Sequence, residues 1–314
     1  LRGDRVPRTS TIRTEQGNYT SNIPQVLQEI QDAWLPVYNR HAASPPDFAV
    51  FASNYGQYYS NFTQAPSDTP TAEELHKQAQ RAKPRVSAGR DGWLPRELKA
   101  LPAVAWNKRK KVLDLAIELQ TFPTDYTQVT CPCLPKKSQG NKPLDHRVLA
   151  IFSAVYRVEM GAWFRILYKW FVPLLHPELH GAVPGHEAAE VSWDAQADLE
   201  HAMINRLKEI LLMVDYYKFF DSFDHQWVRD FLTMLHFPPA FVEMVYKLYV
   251  ELKRTIKLGK AYGHSFIGFN GMGQGDVATL LPCSALVSGQ FYMVSCMYPR
   301  IRKGACIDDR NFRG

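Results

Sequence analysis

The chain is poor in the residues that would make it a secreted scaffold or a zinc protein. Only five cysteines occur in 314 residues: Cys131, Cys133, Cys283, Cys296 and Cys306. Their number is odd, and the one close pair is Cys-Pro-Cys with no second pair to answer it. Neither a disulfide framework nor a cysteine zinc site is expected, and free thiols in a reducing compartment follow. No signal peptide is visible. Gly271, Gly273 and Gly275 lack the spacing of a dinucleotide-binding turn. His176 and His180 flank Glu178, but Pro177 lies between them and the order is not HExxH, which argues against zinc. Leu280 to Tyr298 is uncharged and long enough to span a bilayer. Its Pro282, Gly289, Gln290 and scattered Ser and Cys instead favour the buried helix of a soluble core. No internal repeat is apparent.

What is present is ample apolar material and an uneven charge. The chain is 46% hydrophobic, with 17 Phe and 15 Tyr, enough for a real core and more consistent with two subdomains than one. Acidic residues are scarce between Lys77 and Lys111, where eleven lysines and arginines meet only Asp91 and Glu97. That local excess is larger than the +6 of the whole chain. Such a segment suits a polyphosphate backbone or, equally, solvated helix faces.

Ile23 to Tyr38 has helical spacing with Pro24 in the first turn. Ala43 to Pro70 reads as a linker or irregular lobe. Thr71 and Glu74 make a capping box that opens a helix towards Arg81. A turn-dense loop over 87–95 precedes an amphipathic helix to about Leu119. Thr127 to Leu134 and Arg147 to Phe152 are strand-like around a polar tip at 136–141. Ile210 to Val214 is a continuous apolar run expected to form a strand buried on both faces. Phe231 to Leu252 has helical period, and Thr255 to Phe269 alternates as a hairpin does.

Three separated pieces carry the chemistry. Asp215 closes the apolar run, Gly273-Gln274-Gly275 forms a loop, and Asp308-Asp309 falls between two β-prone triplets as a hairpin tip would. Nucleotidyl transfer needs the attacking hydroxyl deprotonated and the leaving pyrophosphate neutralised, which two Mg²⁺ ions on carboxylates can do. If the strands bearing Asp215 and Asp308-Asp309 are neighbours, three carboxylates converge on one sheet edge.

In this order the pieces resemble the reverse transcriptase of non-LTR (LINE-type) retrotransposons, from roughly Thr71 onward. The first polymerase motif stands as Asp215 to Asp221, with Lys218 inside and Asp224-His225 after it. The second is Gln274-Gly275-Asp276, and the third is Cys306-Ile307-Asp308-Asp309. Upstream, Ala88 to Trp93 resembles the family's Gly-x-Asp-Gly segment. Leu134-Pro135-Lys136, Arg147 and Tyr156-Arg157 resemble its fingers motif. Gly181 to Gly185 resembles the glycine-rich stretch before the first palm motif. The chain departs from the pattern at Cys306, usually aromatic, at Val148, usually Pro, and at Val277-Ala278-Thr279, usually Pro-Leu-Ser.

The resemblance implies an α+β fold, the fingers and palm of a right-hand polymerase with a mostly antiparallel palm sheet flanked by helices and truncated before the thumb. It divides the chain into an extension or linker with one helix (1–70), a fingers-like region (71–206) and a palm-like region (207–314). Asp215, Asp308 and Asp309 become the catalytic metal ligands for two Mg²⁺, with Mn²⁺ as substitute. Lys136 and Arg147 grip the triphosphate, and Phe220 excludes a ribose 2′ hydroxyl, readings favoured here over Phe220 as core and Lys136 as a solvated tip. Gln274 and Gly275 approach template and nucleotide. Arg85, Arg90 and Lys218 contact nucleic acid. The implied partners are an RNA template, a DNA primer and deoxynucleoside triphosphates, with no membrane and no obligate protein partner, in cytoplasm and nucleus. An RNA-dependent RNA polymerase fits less well, because of Phe220 and the lack of Gly before Asp308. An inactive remnant that only binds nucleic acid is the alternative. The chain stops five residues after Asp309, so it is expected to be a poorly active, aggregation-prone fragment with an exposed sheet edge.

Overall fold

The computed structural model describes residues 11–84, 86–136, 141–307 and 309–314. A two-residue pair, β1 (Ile12–Arg13) and β2 (Tyr19–Thr20), leads into α1 (Ile23–Tyr38). Asn22 caps α1 by accepting from Gln25 N, and Val26, Leu27, Ile30 and Trp34 make its buried face. The stretch expected to be irregular holds a second helix, α2 (Phe48–Tyr55), capped by Asp47. Its Phe51 meets Trp227 and Phe231 edge-on, Tyr59 meets Phe231, and Phe62 packs on Phe171. The first 70 residues are therefore not a linker with one helix: from Ile12 onward they contribute to the main core. Their aromatic side chains bury too much apolar area to remain in water.

The Thr71–Glu74 capping box forms and opens α3 (Ala72–Arg81). Then come α4 (Pro95–Ala100), α5 (Ala103–Glu118), β3 (Gln128–Pro135), β4 (His146–Val148), α6 (Ala154–Phe171), α7 (Ala188–Ile204) and β5 (Leu211–Val214). The chain continues through α8 (His225–Met234), α9 (Pro239–Val250), β6 (Lys253–Leu258), β7 (Ala261–Ile267), α10 (Leu280–Met297), β8 (Arg302–Cys306) and β9 (Asp309–Arg313). The single helix expected over 231–252 is two. His236 takes a positive φ of 59° and Pro238-Pro239 follows, which ends one helix and starts the next. The strand expected over 147–152 shortens to β4 and continues only as a bridge from Ile151 to Thr130.

Two sheets matter for the site. One has the order β4-β3-β6-β7, with β3 and β6 parallel and the other pairs antiparallel; the second, β5-β9-β8, is antiparallel throughout. One core runs from Val26 and Trp34 through Phe171 to Phe231, Phe291 and Ala305, across all three expected regions. A small satellite core joins α3, α4, α5 and α6 around Leu75, Leu98, Trp106 and Val158. Residues Val277–Met297, which include α10, are apolar enough to cross a membrane by length and composition, yet lie mostly buried in the fold. β5 departs most from expectation, since Leu212 and Met213 are 56% and 77% exposed. It is the edge strand of its sheet, hydrogen-bonded on one side only, by β9.

Candidate active site

The register of β5 and β9 assembles the carboxylate edge. Leu211 pairs with Arg313 and Val214 with Arg310, where the ladder ends, so Asp215, next after Val214, and Asp309, next before Arg310, flank the same end of the pair. Both aspartates are exposed. Cys306 pairs with Asp309, so β8 and β9 are joined by the two residues Ile307 and Asp308 alone. Asp308 lies outside the described residues. A two-residue hairpin favours positive φ, and Ile307 has φ 62°, a costly conformation for a β-branched residue. The tip is held from behind: His180 N and Gly181 N both donate to Ala305 O, at 2.9 and 3.1 Å. A Cβ on Gly181 would stand 2.2 Å from Ile307 N, so only glycine permits this approach.

Arg310, next to Asp309, is buried with its guanidinium 3.6 Å over the ring of Tyr216, the residue after Asp215. It also bonds Gln290 of α10. A buried cation thus ties both carboxylate-bearing strands together on the side away from solvent. Sequence reasoning passed over Arg310. Nothing in the polar run Asp309-Arg310-Asn311 marks it out, because its partners Tyr216 and Gln290 are distant in sequence.

The Gln-Gly loop is welded onto the turn that follows Asp215. Gly271 N donates to Phe223 O, Met272 N to Phe220 O, and the buried Asn270 side chain donates to Val37 O and Asp221 O. Gly271 and Gly275 need glycine for φ values of 97° and 116°. Arg254, 2% exposed, donates to Gly271 O at 2.6 Å and lies over Tyr38, while His225 donates to the same carbonyl. Gln274 O accepts from Ala150 N, and its Nε2 donates to Asp221 at 3.0 Å. Burial pushes Asp221 up to about 6, against the nearby charge of Lys218. Asp276 is fully enclosed and accepts from Tyr249 at 2.7 Å and Tyr156 at 3.0 Å; burial raises its pKa. Thr279 uses its hydroxyl to bond Gly273 O and Asp276 O. Asp221, Arg254 and Asp276 carry the loop's position, and their type alone did not distinguish them from surface charges.

Lys136 and Arg147 are both exposed, beside each other on the β3–β4 pair, where Leu134 faces Arg147 and Lys136 N donates to Asp145 O. Lys218 is not a free surface cation. Its Nζ donates to Leu144 O at 2.9 Å and sits 3.8 Å over the Trp34 ring. Burial and then the charge of Lys136 push it down to about 8, so it stays protonated at neutral pH. Lys218 thereby ties the hairpin bearing Lys136 and Arg147 to the turn after Asp215. Phe220 is half-buried beside that turn, against Phe219.

The basic segment is partly neutralised within the fold. Arg109 turns inward onto Glu159 and Tyr126, Lys77 pairs with Glu73, and Lys110 with Asp114. Arg90 remains exposed, with a 3.2 Å contact to Gln128, and Arg85 lies outside the described residues. Asp91 of the same loop accepts from Val155 N at the start of α6, and Gly89 is pressed against Phe152 and Ser153 where a Cβ could not fit. Lys77, Arg81, Arg165 and Lys169, opposed by Glu74, line a groove of about 590 Å³ between α3 and α6. No family model matches the chain. Over 148 residues it is 24% identical to the Transposon TX1 uncharacterized 149 kDa protein of Xenopus laevis, a match covering 47% of this chain and 11% of the relative. The chain is thus distantly homologous to a transposon-encoded protein.

Proposed function

We propose that the chain is the fingers and palm of an RNA-directed DNA polymerase, extending a DNA primer on an RNA template. The observation that supports this is the β5–β9 register, whose last pair, Val214 with Arg310, leaves Asp215 and Asp309 adjoining one end of an antiparallel sheet. The distant transposon homology supports it. The donors fit hard divalent cations, because both are exposed carboxylates at strand ends with Asp308 adjacent in sequence. Asp215, Asp308 and Asp309 would hold Mg²⁺ or Mn²⁺, which when bound would supply the charge to acidify the primer hydroxyl and neutralise the leaving pyrophosphate.

The protein's own groups orient the reactants. Arg147 offers a forked guanidinium and Lys136 a point charge to the triphosphate. Lys218 holds their hairpin against the Asp215 turn. Phe220 stands five residues past Asp215 as the group that meets a ribose 2′ hydroxyl. Gln274 and Gly275 lie on a loop whose rigidity comes from Asp221, Arg254 and Asp276. Arg90 faces the nucleic-acid backbone.

Primer extension on poly(rA)/oligo(dT), with enzyme in excess over primer, tests this. Incorporation of dTTP over UTP, abolished by Asp309→Asn, is the expected result. Replacing Phe220 by Ala should narrow the dTTP preference at least tenfold. A folded protein that binds the primer–template by fluorescence anisotropy yet incorporates nothing with either metal would establish the non-catalytic alternative.

A further inference from the structure

We propose that His180, His186 and Glu190 form a second metal site, for a borderline transition-metal ion of the Zn²⁺ type, separate from the carboxylate edge. The Nδ1 atoms of His180 and His186 donate to one oxygen, Glu190 Oε2, at 2.8 and 2.7 Å. The two rings stand edge to face with centroids 4.8 Å apart, and the three ligand atoms lie within 4.8 Å of one another. Two imidazoles and one carboxylate are the donor set of an open zinc site, with a fourth position left for water. Mg²⁺ would not choose it, because it prefers oxygen ligands.

The geometry needs little change. Around a tetrahedral ion with bonds of about 2.1 Å, neighbouring donors stand roughly 3.4 Å apart, so each N···O pair opens by about 0.7 Å while the two imidazole nitrogens, within 4.8 Å of each other, come to the same spacing. Each neutral imidazole would move its proton from Nδ1 to Nε2, freeing the Nδ1 lone pair without a change in net charge. Glu190 is pre-positioned by its other oxygen, which accepts from Glu187 N in the capping box of α7. His180 is pre-positioned by its backbone bond to Ala305 O. The sequence spacing of His176 and His180 pointed elsewhere. His176 is buried against Phe291 and Tyr292 and bonds Ser295, so only His180 of that pair contributes. An ion here would clamp the start of α7 to the loop that backs the Ile307 turn.

Co²⁺ titration of the untagged chain, followed by d–d absorption and with Cys296→Ser as background to remove the exposed thiol, reads the site directly. One equivalent of a tetrahedral spectrum, displaced by Zn²⁺ but not by excess Mg²⁺, is expected. His186→Ala, at a half-exposed position, should weaken Co²⁺ binding about 100-fold and cancel the rise in Tm that Zn²⁺ gives the parent. Glu190→Gln should weaken it while sparing the fold. Absence of a saturable Co²⁺ spectrum, or the same affinity in His186→Ala, would overturn the proposal. Neither result depends on polymerase activity.

Discussion

The two sheets treat their carboxylates in opposite ways, although both bury cations, Arg254 of β6 among them. Around β4-β3-β6-β7 the carboxylates are inside: Asp221 and Asp276 are 1% and 5% exposed and are held by an amide and two tyrosines. Around β5-β9-β8 the cations are inside instead: Lys303, Arg310 and Arg313 are buried while Asp215 and Asp309 face solvent. Lys303 meets Glu178 at 3.0 Å, and Arg313 meets Asp198 at 2.7 Å. Buried acids that are fully bonded position a loop but cannot accept a new ligand. Exposed acids contribute little to the fold and keep their lone pairs for one. Four aspartates in adjacent motifs thus divide into two that build and two that are available.

The largest test of that division is catalytic. Asp215→Asn or Asp309→Asn should lower incorporation at least 100-fold, about 3 kcal/mol in the barrier, with no fall in Tm. The matching change on the other sheet should act on stability. Asp276→Ala strands the hydroxyls of Tyr156 and Tyr249, and urea unfolding should show a loss of about 3 kcal/mol. Equal Tm losses at all three aspartates would erase the distinction. Gly181→Ala, next in size, forces a Cβ against Ile307 N, and a cost of about 2 kcal/mol with weaker incorporation is expected. Lys218→Met removes the hydrogen bond to Leu144 O and the close contact with the Trp34 ring, together worth about 1 kcal/mol. Its sharper signature is kinetic: a higher KM for dTTP with kcat nearly unchanged, since the lysine holds the β3–β4 hairpin and touches no reacting atom.

How much was legible in the sequence follows the same divide. The pairing of the strand before Asp215 with the strand that begins at Asp309 could be anticipated, because an apolar run ending in Asp and a turn between β-prone triplets are local patterns. Burial could not. Ile210 to Val214 has the composition of an inner strand, yet composition does not say what covers a face, and β5 ends as an edge. Lys218 and Arg109 look like surface cations until their partners, Leu144 and Trp34 or Glu159 and Tyr126, are brought from 74, 184, 50 and 17 residues away. The aromatic residues of 48–62 were the missed cue to the N-terminal packing. Pro238-Pro239 was an equally local signal for the break between α8 and α9.

A last effect is read in acid, where two kinds of buried group oppose each other against one loop. His225 donates to Gly271 O, and burial pushes it down to about 4, below its usual 6.5. Between those values the unfolded chain holds the extra proton, so the stability this residue contributes is present above pH 6.5 and is lost as pH falls towards 4. Asp221 is pushed up to about 6 from 3.8. In its window the folded chain holds the extra proton, so its contribution grows as pH falls and is lost as pH rises through 6. His225→Gln, which keeps a donor for Gly271 O, should therefore make the decline in Tm between pH 6.5 and 4 shallower. Asp221→Asn should make it steeper, by up to about 1.4 kcal/mol per pH unit in either case. Thermal melts of the parent and both variants across that range would show it. Parallel curves would mean that neither group's pKa differs between the folded and the unfolded chain.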